Sequence, residues 1–452
     1  MEKKEIMAIR DAAVSIMEQY PEHSYLLLKI ALKYKPDGQR IQRKLIASER
    51  RLIERMPYKG QVISARTDGL LARINSIFNG VILAKYYKVP FSFTWVNDAR
   101  VTRIAHGSVD GEIPSFISRA FMSGYYADES DMKRCSLPFV SNENTNGVAG
   151  KTIKSIVSRD LFSHYLNEYM NVVPTERLDL SDNSEALVSY SGVFNQFFSR
   201  SIKKRFKKIK KSCSWSESIA IHYRGGDVIY GLNRFGRFIR KRTLSLPVVE
   251  NIINDNKEKS IIVFGTPVGE TLKELYYLKN KYSNVKLSVD IIGNESTHSP
   301  EATLYDAYMM SICKRVYCAG DSNMTIFAEN VGDVEIIIPS KDYEISVFKA
   351  VLSTDEFASY SALQKSFIYS NMLVLLIETG EALFEEIDPF LVRIYDLDPI
   401  HKHVLQFRYL YAIKHSKAEL AKEMKEALGR ADEDFNSLKE RLPPQLVSLL
   451  SF

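Results

Sequence analysis

Between Ser218 and Ile338 the chain alternates short apolar runs with longer helical ones, a rhythm that few folds accept. The short runs are Ile219–Tyr223, Ser260–Phe264, Val285–Ile291, Arg315–Ala319 and Val334–Ile338, all mostly apolar and rich in β-branched residues. Helical stretches lie between and around them, near 247–255, 268–281, 301–313 and 323–331. Strand and helix in strict alternation predict parallel strands joined by crossover helices. Strands apolar on both faces fit a sheet that is covered on both faces. This stretch therefore predicts a doubly wound, Rossmann-like domain.

The rest of the chain is organised around it. With 452 residues the sequence exceeds what one core holds, so more than one domain is expected. Residues 1–57 read as helices: Ala12, Ile16 and Tyr20, then Leu26, Ile30 and Leu32, recur at roughly helical spacing, and Pro21 and Pro36 punctuate them. The pattern changes at Gly60. A short strand Gln61–Ala65 leads through the turn Arg66–Gly69 into a helix from Leu70 to Tyr86, and Val89–Val96 reads as the next strand. Strand, helix, strand opens a second α/β unit. Residues 97–185 are less periodic, the segment from Ala186 to Ser214 is helical, and after Ser340 the chain turns helical to its end. The expected divisions are 1–57, 58–185, 186–345 and 346–452.

Composition excludes several classes. Hydrophobic residues at 45% and charged residues at 26% are ordinary for a globular protein and argue against disorder. A net charge of +6 is mild at this length, and no zinc-finger or RNP-type signature accompanies it, so no nucleic-acid partner is expected. Cys135, Cys213, Cys313 and Cys318 form no CxxC pair and read as reduced thiols. No run approaches the roughly 18 apolar residues of a membrane span, and the charged opening residues lack the apolar core of a signal peptide. A cytoplasmic location is expected. One charge run stands out. In Lys203–Lys211 seven cations surround a helical face of Ile202, Phe206 and Ile209, which suits either peripheral contact of 202–211 with an anionic membrane or a solvated helix packing a narrow stripe.

The strongest local signal for chemistry is Ile221-His-Tyr-Arg-Gly-Gly-Asp227, at the carboxyl end of a predicted strand. Ligands of open α/β sheets bind at such strand ends. The planar fork of Arg224 matches phosphate oxygens, Gly225 and Gly226 let backbone approach a ligand, and His222 can offer a ring face or nitrogen. The bland alternative is a salt-bridged strand end, Arg224 to Asp227, with glycines turning the chain. A second signal is Asp306, followed by the strand Arg315–Ala319 and the turn Gly320-Asp-Ser-Asn-Met-Thr325, which opens a helix. There Ser322, Asn323 and Thr325 lie near free backbone N–H groups, a ready anion site. Simple N-capping by Ser322 or Asp321 would account for the turn alone.

Together these pieces resemble the fucosyltransferase superfamily, which includes α1,6-, nodulation and protein O-fucosyltransferases. That family carries a His-x-Arg-Arg-x-Asp type motif at a strand end, then an Asp at fixed distance from a strand and a Ser-Ser-x turn. His222, Arg224 and Asp227 match the first pattern; Asp306 and Ser322 match the second in type and spacing. Gly225 stands where the family has its second Arg, and Asp321 where it has the first Ser. The segment Arg66 to Gly80 is similar to a divergent form of the family's N-terminal Gly-x-Gly-Asn-Arg turn, with Gly69, Arg73 and Asn75 near matching places; an ordinary capped strand-to-helix turn is the alternative. The resemblance spans roughly residues 60–340.

What the resemblance implies is a GT-B-like α/β fold: two Rossmann-like domains, acceptor side at 58–185 and donor side at 186–345, with helical N- and C-terminal extensions. Arg224 would bind the β-phosphate of a GDP-sugar and Ser322 a phosphate oxygen, while His222 and Asp306 contact the base. An inverting transfer also needs a carboxylate to deprotonate the acceptor hydroxyl; Asp68 is the first candidate and Asp227 the second. No Asp-x-Asp motif is suitably placed, so no metal or other cofactor is expected beside the nucleotide-sugar donor. The acceptor expected for this class is a bacterial surface glycan, free or lipid-linked, reached from the cytoplasm or the inner face of the membrane. Two rivals stand beside fucose transfer: another GDP- or UDP-sugar, and a non-catalytic scaffold built on a degenerate transferase.

Overall fold

The computed structural model describes residues 3–36, 38–54, 62–64, 69–87, 91–95, 113–127, 189–231, 239–266, 269–293, 299–320, 322–379, 384–400, 402–428 and 444–450. The chain divides into two compact units. One comprises Met1–Cys213, His298–Ile312 and Asn323–Asp333; the other comprises Ser214–Thr297, Cys313–Ser322 and Val334–Phe452.

The first unit opens with helices Lys3–Ile16, Pro21–Tyr34 and Gln39–Glu54. Pro21 sits in the first turn, where its missing N–H costs nothing. Their shared core holds Ala13, Met17, Leu28, Ala31, Ile41 and Leu45. The sequence reading mis-phases the second helix: Leu26 and Ile30 are exposed, and Leu28 and Ala31 carry the buried face. Strands β1 (Val62–Ser64) and β2 (Phe91–Phe93) pair in parallel across the helix Leu70–Tyr87. Gly80 of that helix is required by packing, since a Cβ there would collide with the Phe91 ring. These two strands form the whole sheet of this unit among the described residues. A Rossmann-like domain over 58–185 remains an expectation, because most of 96–188 lies outside those residues.

The helical segment 186–214 is two helices, Tyr190–Phe197 and Arg200–Lys210, broken at Phe198 and Ser199, and both belong to the first unit rather than to a domain spanning 186–345. Aromatic packing explains the allegiance. Phe197 meets Phe78 at 5.3 Å and Phe121 at 5.1 Å between ring centroids. The stripe Ile202, Phe206 and Ile209 is buried, with Phe206 stacked at 4.1 Å on Tyr308. That stripe is therefore spent on protein packing, the second of the two uses expected of 202–211.

The second unit carries the main sheet: β3 (Ile219–His222), β4 (Ile261–Phe264), β5 (Val285–Leu287), β6 (Arg315–Tyr317) and β7 (Glu335–Ile337). All pairings are parallel, in the order β5-β4-β3-β6-β7. The chain builds outward from β3 to β5, then returns to the other side of β3. The order thus reverses between β3 and β6, which creates a crevice at their carboxyl ends. Ile219, Ile221, Tyr223, Ile261 and Val263 form a core with Val249 and Ile252 of helix Leu246–Asp255 and Leu275 of helix Gly269–Lys281. Alternate residues Ala220, Ile262 and Phe264 are also fully buried, so the sheet is covered on both faces.

Two boundaries differ from the sequence reading. The strand expected over 285–291 stops at Leu287, and Ser288–Ile292 is a helix whose first turn is closed by Asp290 accepting from the Leu287 N–H at 3.4 Å. The helical region after 345 is not a separate extension. Helices Lys341–Leu352 and Ala362–Thr379 supply Phe348, Phe367 and Ile368 to the core of the sheet unit. Period alone identifies such helices but not the surface that they cover. Beyond them Leu373, Ile387, Leu391, Val404, Phe407 and Leu446 form a further, all-helical core.

Candidate functional site

Strand β3 delivers its last residues to the reversal point. Side chains alternate along it, so Ile221 and Tyr223 enter the core with Leu275, while His222 belongs to the opposite face. Arg224 then occupies the N-cap position of the short helix Gly225–Ile229 and is half-buried. From the neighbouring strand β6 the chain runs through Cys318 to Ser322, whose Oγ lies 3.4 Å from His222 Nδ1. The structure thus brings His222 and Ser322 together, with Arg224 two residues along, in the crevice between β3 and β6. An imidazole and a hydroxyl in contact make a pair of side chains that can donate to phosphate oxygens.

Gly225 also has a packing role. A Cβ there would lie 3.0 Å from Thr271 Oγ1 and 3.2 Å from the Tyr223 ring, so a larger residue would press on both side chains. Gly226 is roomier, its nearest neighbours being 3.8 Å away.

The loop is held from below by residues that the sequence did not single out. Tyr223 donates to Glu274 Oε2 at 2.6 Å, and Tyr230, directly after the short helix, donates to Glu274 Oε1. Gln364 Nε2 donates to Tyr223 Oη at 2.6 Å and to Glu274 Oε1 at 2.8 Å. One carboxylate therefore clamps both flanks of Arg224–Ile229. Burial pushes Glu274 above the usual carboxylate range, against the lowering effect of its three donors. The Tyr223 hydroxyl is pushed well up, by burial first and then by the Glu274 charge, and Tyr230 is raised by the same causes. Tyr223 and Tyr230 bracket the motif seven residues apart, but nothing local reveals a common partner more than forty residues away.

The other candidates fall in the first unit or outside the described residues. Asp306 is half-buried on helix Pro300–Ile312, and Asn323 and Thr325 open helix Asn323–Val331. Asn75 is fully buried and donates through Nδ2 to the Asn323 carbonyl at 2.9 Å, tying helix Leu70–Tyr87 to the start of that helix. Arg73 is buried, its guanidinium 5.1 Å from the Trp95 ring centroid, and its N–H bonds the Gly69 carbonyl at 3.2 Å. Both residues are enclosed in the first unit in these positions, at 5% and 0% exposure. Arg66, Asp68 and Asp321 lie outside the described residues, as does the side chain of Asp227, so both candidate bases are without a structural account.

No protein-family model matches the chain, and no curated protein does. Among solved structures it is similar to the NodZ alpha-1,6-fucosyltransferase co-crystallised with GDP, at 15% identity and a TM-score of 0.38, over 63% of this chain and 96% of that one. The fucosyltransferase NodZ from Bradyrhizobium matches at 15% identity and a TM-score of 0.37, over 61% of this chain and 94% of that one. POFUT1 in complex with GDP matches at 9% identity and a TM-score of 0.34, over 62% of this chain and 98% of that one. Likeness of this degree leaves function to be argued from the residues of the chain itself.

Proposed function

We propose that this protein is a GT-B-type glycosyltransferase that takes a sugar from a nucleoside-diphosphate donor. The observation that carries the proposal is the meeting of His222 and Ser322 where the strand order reverses, with Arg224 two residues along the chain at the start of the short helix. Arg224 supplies paired N–H donors for the β-phosphate, and the Ser322 hydroxyl binds a neighbouring oxygen. As the glycosidic bond breaks, negative charge grows on the diphosphate, and donors held in place stabilise it without reorganising. The Glu274 clamp supports this function by fixing both flanks of the loop. These donors take the place of a metal ion in the proposal.

Guanine is the favoured base. An ionised Asp306 accepts only, and guanine N1–H and N2–H₂ are adjacent donors that one carboxylate bridges, whereas uracil sets its single N–H between carbonyls. Fucose is the favoured sugar, with Asp68 or Asp227 as base and a bacterial surface glycan or lipid-linked glycan as acceptor. The cationic residues Lys204, Lys207, Lys208, Lys210 and Lys211 are exposed, so any contact with the cytoplasmic face of a membrane is electrostatic rather than insertional.

A thermal-shift comparison of GDP, UDP, CDP and ADP tests the proposal. GDP is expected to raise the unfolding temperature most. A larger shift with UDP would overturn the guanine assignment, and no shift with any of the four would overturn the transferase.

A further inference from the structure

The proposed donor site is short of positive charge. A nucleoside diphosphate carries more than one negative charge, and more develops as the sugar leaves. Ser322 is neutral, and Arg224 is the one permanent cation of the proposed set. A second cation at the same end of the sheet would meet the remaining charge.

The path of the chain narrows where such a cation can stand. After β3 the chain turns through the short helix Gly225–Ile229. It returns to the amino end of the sheet only when the crossover helix Leu246–Asp255 leads into β4. Residues 239–245 therefore lie at the carboxyl end, where ligands of such sheets bind. They are anchored there: Thr243, Leu244, Ser245 and Leu246 are each at most 3% exposed, and the two leucines belong to the core of the sheet unit.

Immediately before that anchor stands the single helical turn Ile239–Arg242, and it meets the turn that follows β6. A Cβ placed on Gly320 would lie 3.2 Å from the Lys241 carbonyl oxygen, 3.3 Å from its Cα and 3.5 Å from its Cβ. The two backbones are thus in contact, an approach that glycine allows. Ser322, which meets His222, is two residues further on, and two residues of chain span at most about 7 Å. The four-carbon stem of Lys241 and the length of a diphosphate held at Ser322 together cover that interval. Lys241 is exposed, and among the described residues no hydrogen bond or ion pair engages its ammonium. Its backbone is fixed at the site and its charge is uncommitted. Nothing in the local sequence marks it, since Ile239-Arg-Lys-Arg242 reads as ordinary surface charge.

We propose that Lys241 is a phosphate-binding residue of the donor site, its ammonium adding to the charge of Arg224 against the diphosphate as the sugar departs. The proposal rests on the nucleotide reading of that site and adds to it a second cation and the element that presents it.

Calorimetry on the full chain, with GDP titrated directly and guanosine by competition, tests it. Lys241→Met keeps the stem and removes the charge. GDP should then bind about tenfold more weakly, the lower end for a hydrogen bond to a charged group. Guanosine, which has no phosphate, should bind unchanged, and Lys241→Arg should hold GDP to within a few-fold. Lys259→Met removes an exposed lysine at the amino end of β4, away from the crevice, and should leave GDP binding as it was. Unchanged GDP affinity in Lys241→Met, equal weakening of GDP and guanosine, or an equal loss in Lys259→Met would overturn the role of Lys241 and leave the nucleotide reading standing. Failure of the wild type to bind GDP would overturn that reading, and the proposal with it.

Discussion

The chain makes two turns from a strand into a helix that look alike in sequence and serve different ends. After β1, the helix Leu70–Tyr87 carries Arg73 and Asn75, polar residues that are buried and committed to Trp95 and to the Asn323 carbonyl. After β3, Arg224 and His222 stand at the reversal point of a five-stranded sheet, with Ser322 beside His222 and a half-buried carboxylate bracing the loop from behind. A polar residue after a strand thus has two fates. It is enclosed where helices close over it, and it stands at a crevice where the sheet order reverses. Mutations at the two turns should separate stability from binding.

The largest effect is expected in the aromatic packing around the first turn. Phe78 is fully buried against Phe197, Phe198 and Phe327. Phe78→Ala should destabilise the first unit by about 3–5 kcal/mol through lost burial and a residual cavity. Urea unfolding followed by Trp95 fluorescence, in a Trp215→Phe background, reads that unit; a loss below about 1 kcal/mol would mean that the cluster relaxes freely.

Arg224→Ala should do the reverse. Losing a charge-assisted contact is expected to weaken GDP binding by about 1.5–3 kcal/mol, roughly ten- to 150-fold, without changing the unfolding midpoint. Calorimetry beside urea unfolding would separate the two quantities. Unchanged GDP affinity would remove the second turn from the binding site and erase the contrast.

Asn75→Ala sharpens the comparison on the other side. Removing the donor takes one partner from the half-buried Asn323 carbonyl, at a cost of about 1 kcal/mol in stability. GDP affinity should not move. A selective loss of transfer with stability intact would return Asn75 to the acceptor surface.

The smallest effect concerns the clamp and its pH dependence. Glu274 is held above the usual carboxylate range in the fold, so between its unfolded and folded pKa the native state binds the extra proton. Stability from this group is complete at acid pH and declines as pH rises through the raised value. Glu274→Gln, neutral throughout, should flatten that part of the profile. Urea midpoints from Trp215 fluorescence, between about pH 4 and 8, provide the check; an unchanged slope in the variant would assign the dependence to another group.

Much of the second unit was legible in the sequence, and for a definite reason. A strand buried on both faces needs an unbroken apolar run, so β3, β4 and β6 and the helices around them announce themselves by composition and period. The end of β5 at Leu287 was not legible, because Ser288–Ile292 has the composition of a strand and becomes helical at an edge where, among the described residues, no further strand pairs with it. In the N-terminal helices the apolar pattern was visible but its phase was not, since Leu26 and Leu28 are equally hydrophobic and only packing chooses between them.

The sequence by itself determined the alternation that makes a parallel α/β sheet, and the motif that sets His222 and Arg224 at a strand end. Both are local, encoded in residue type and spacing over a few positions. Only the tertiary structure decided that Ser322 meets His222, that Tyr223 and Tyr230 share Glu274, and that helices after Lys341 complete the sheet's core. These are contacts between residues tens of positions apart. Their partners are chosen by which surfaces remain to be buried once the sheet has formed, and local spacing carries no record of that choice.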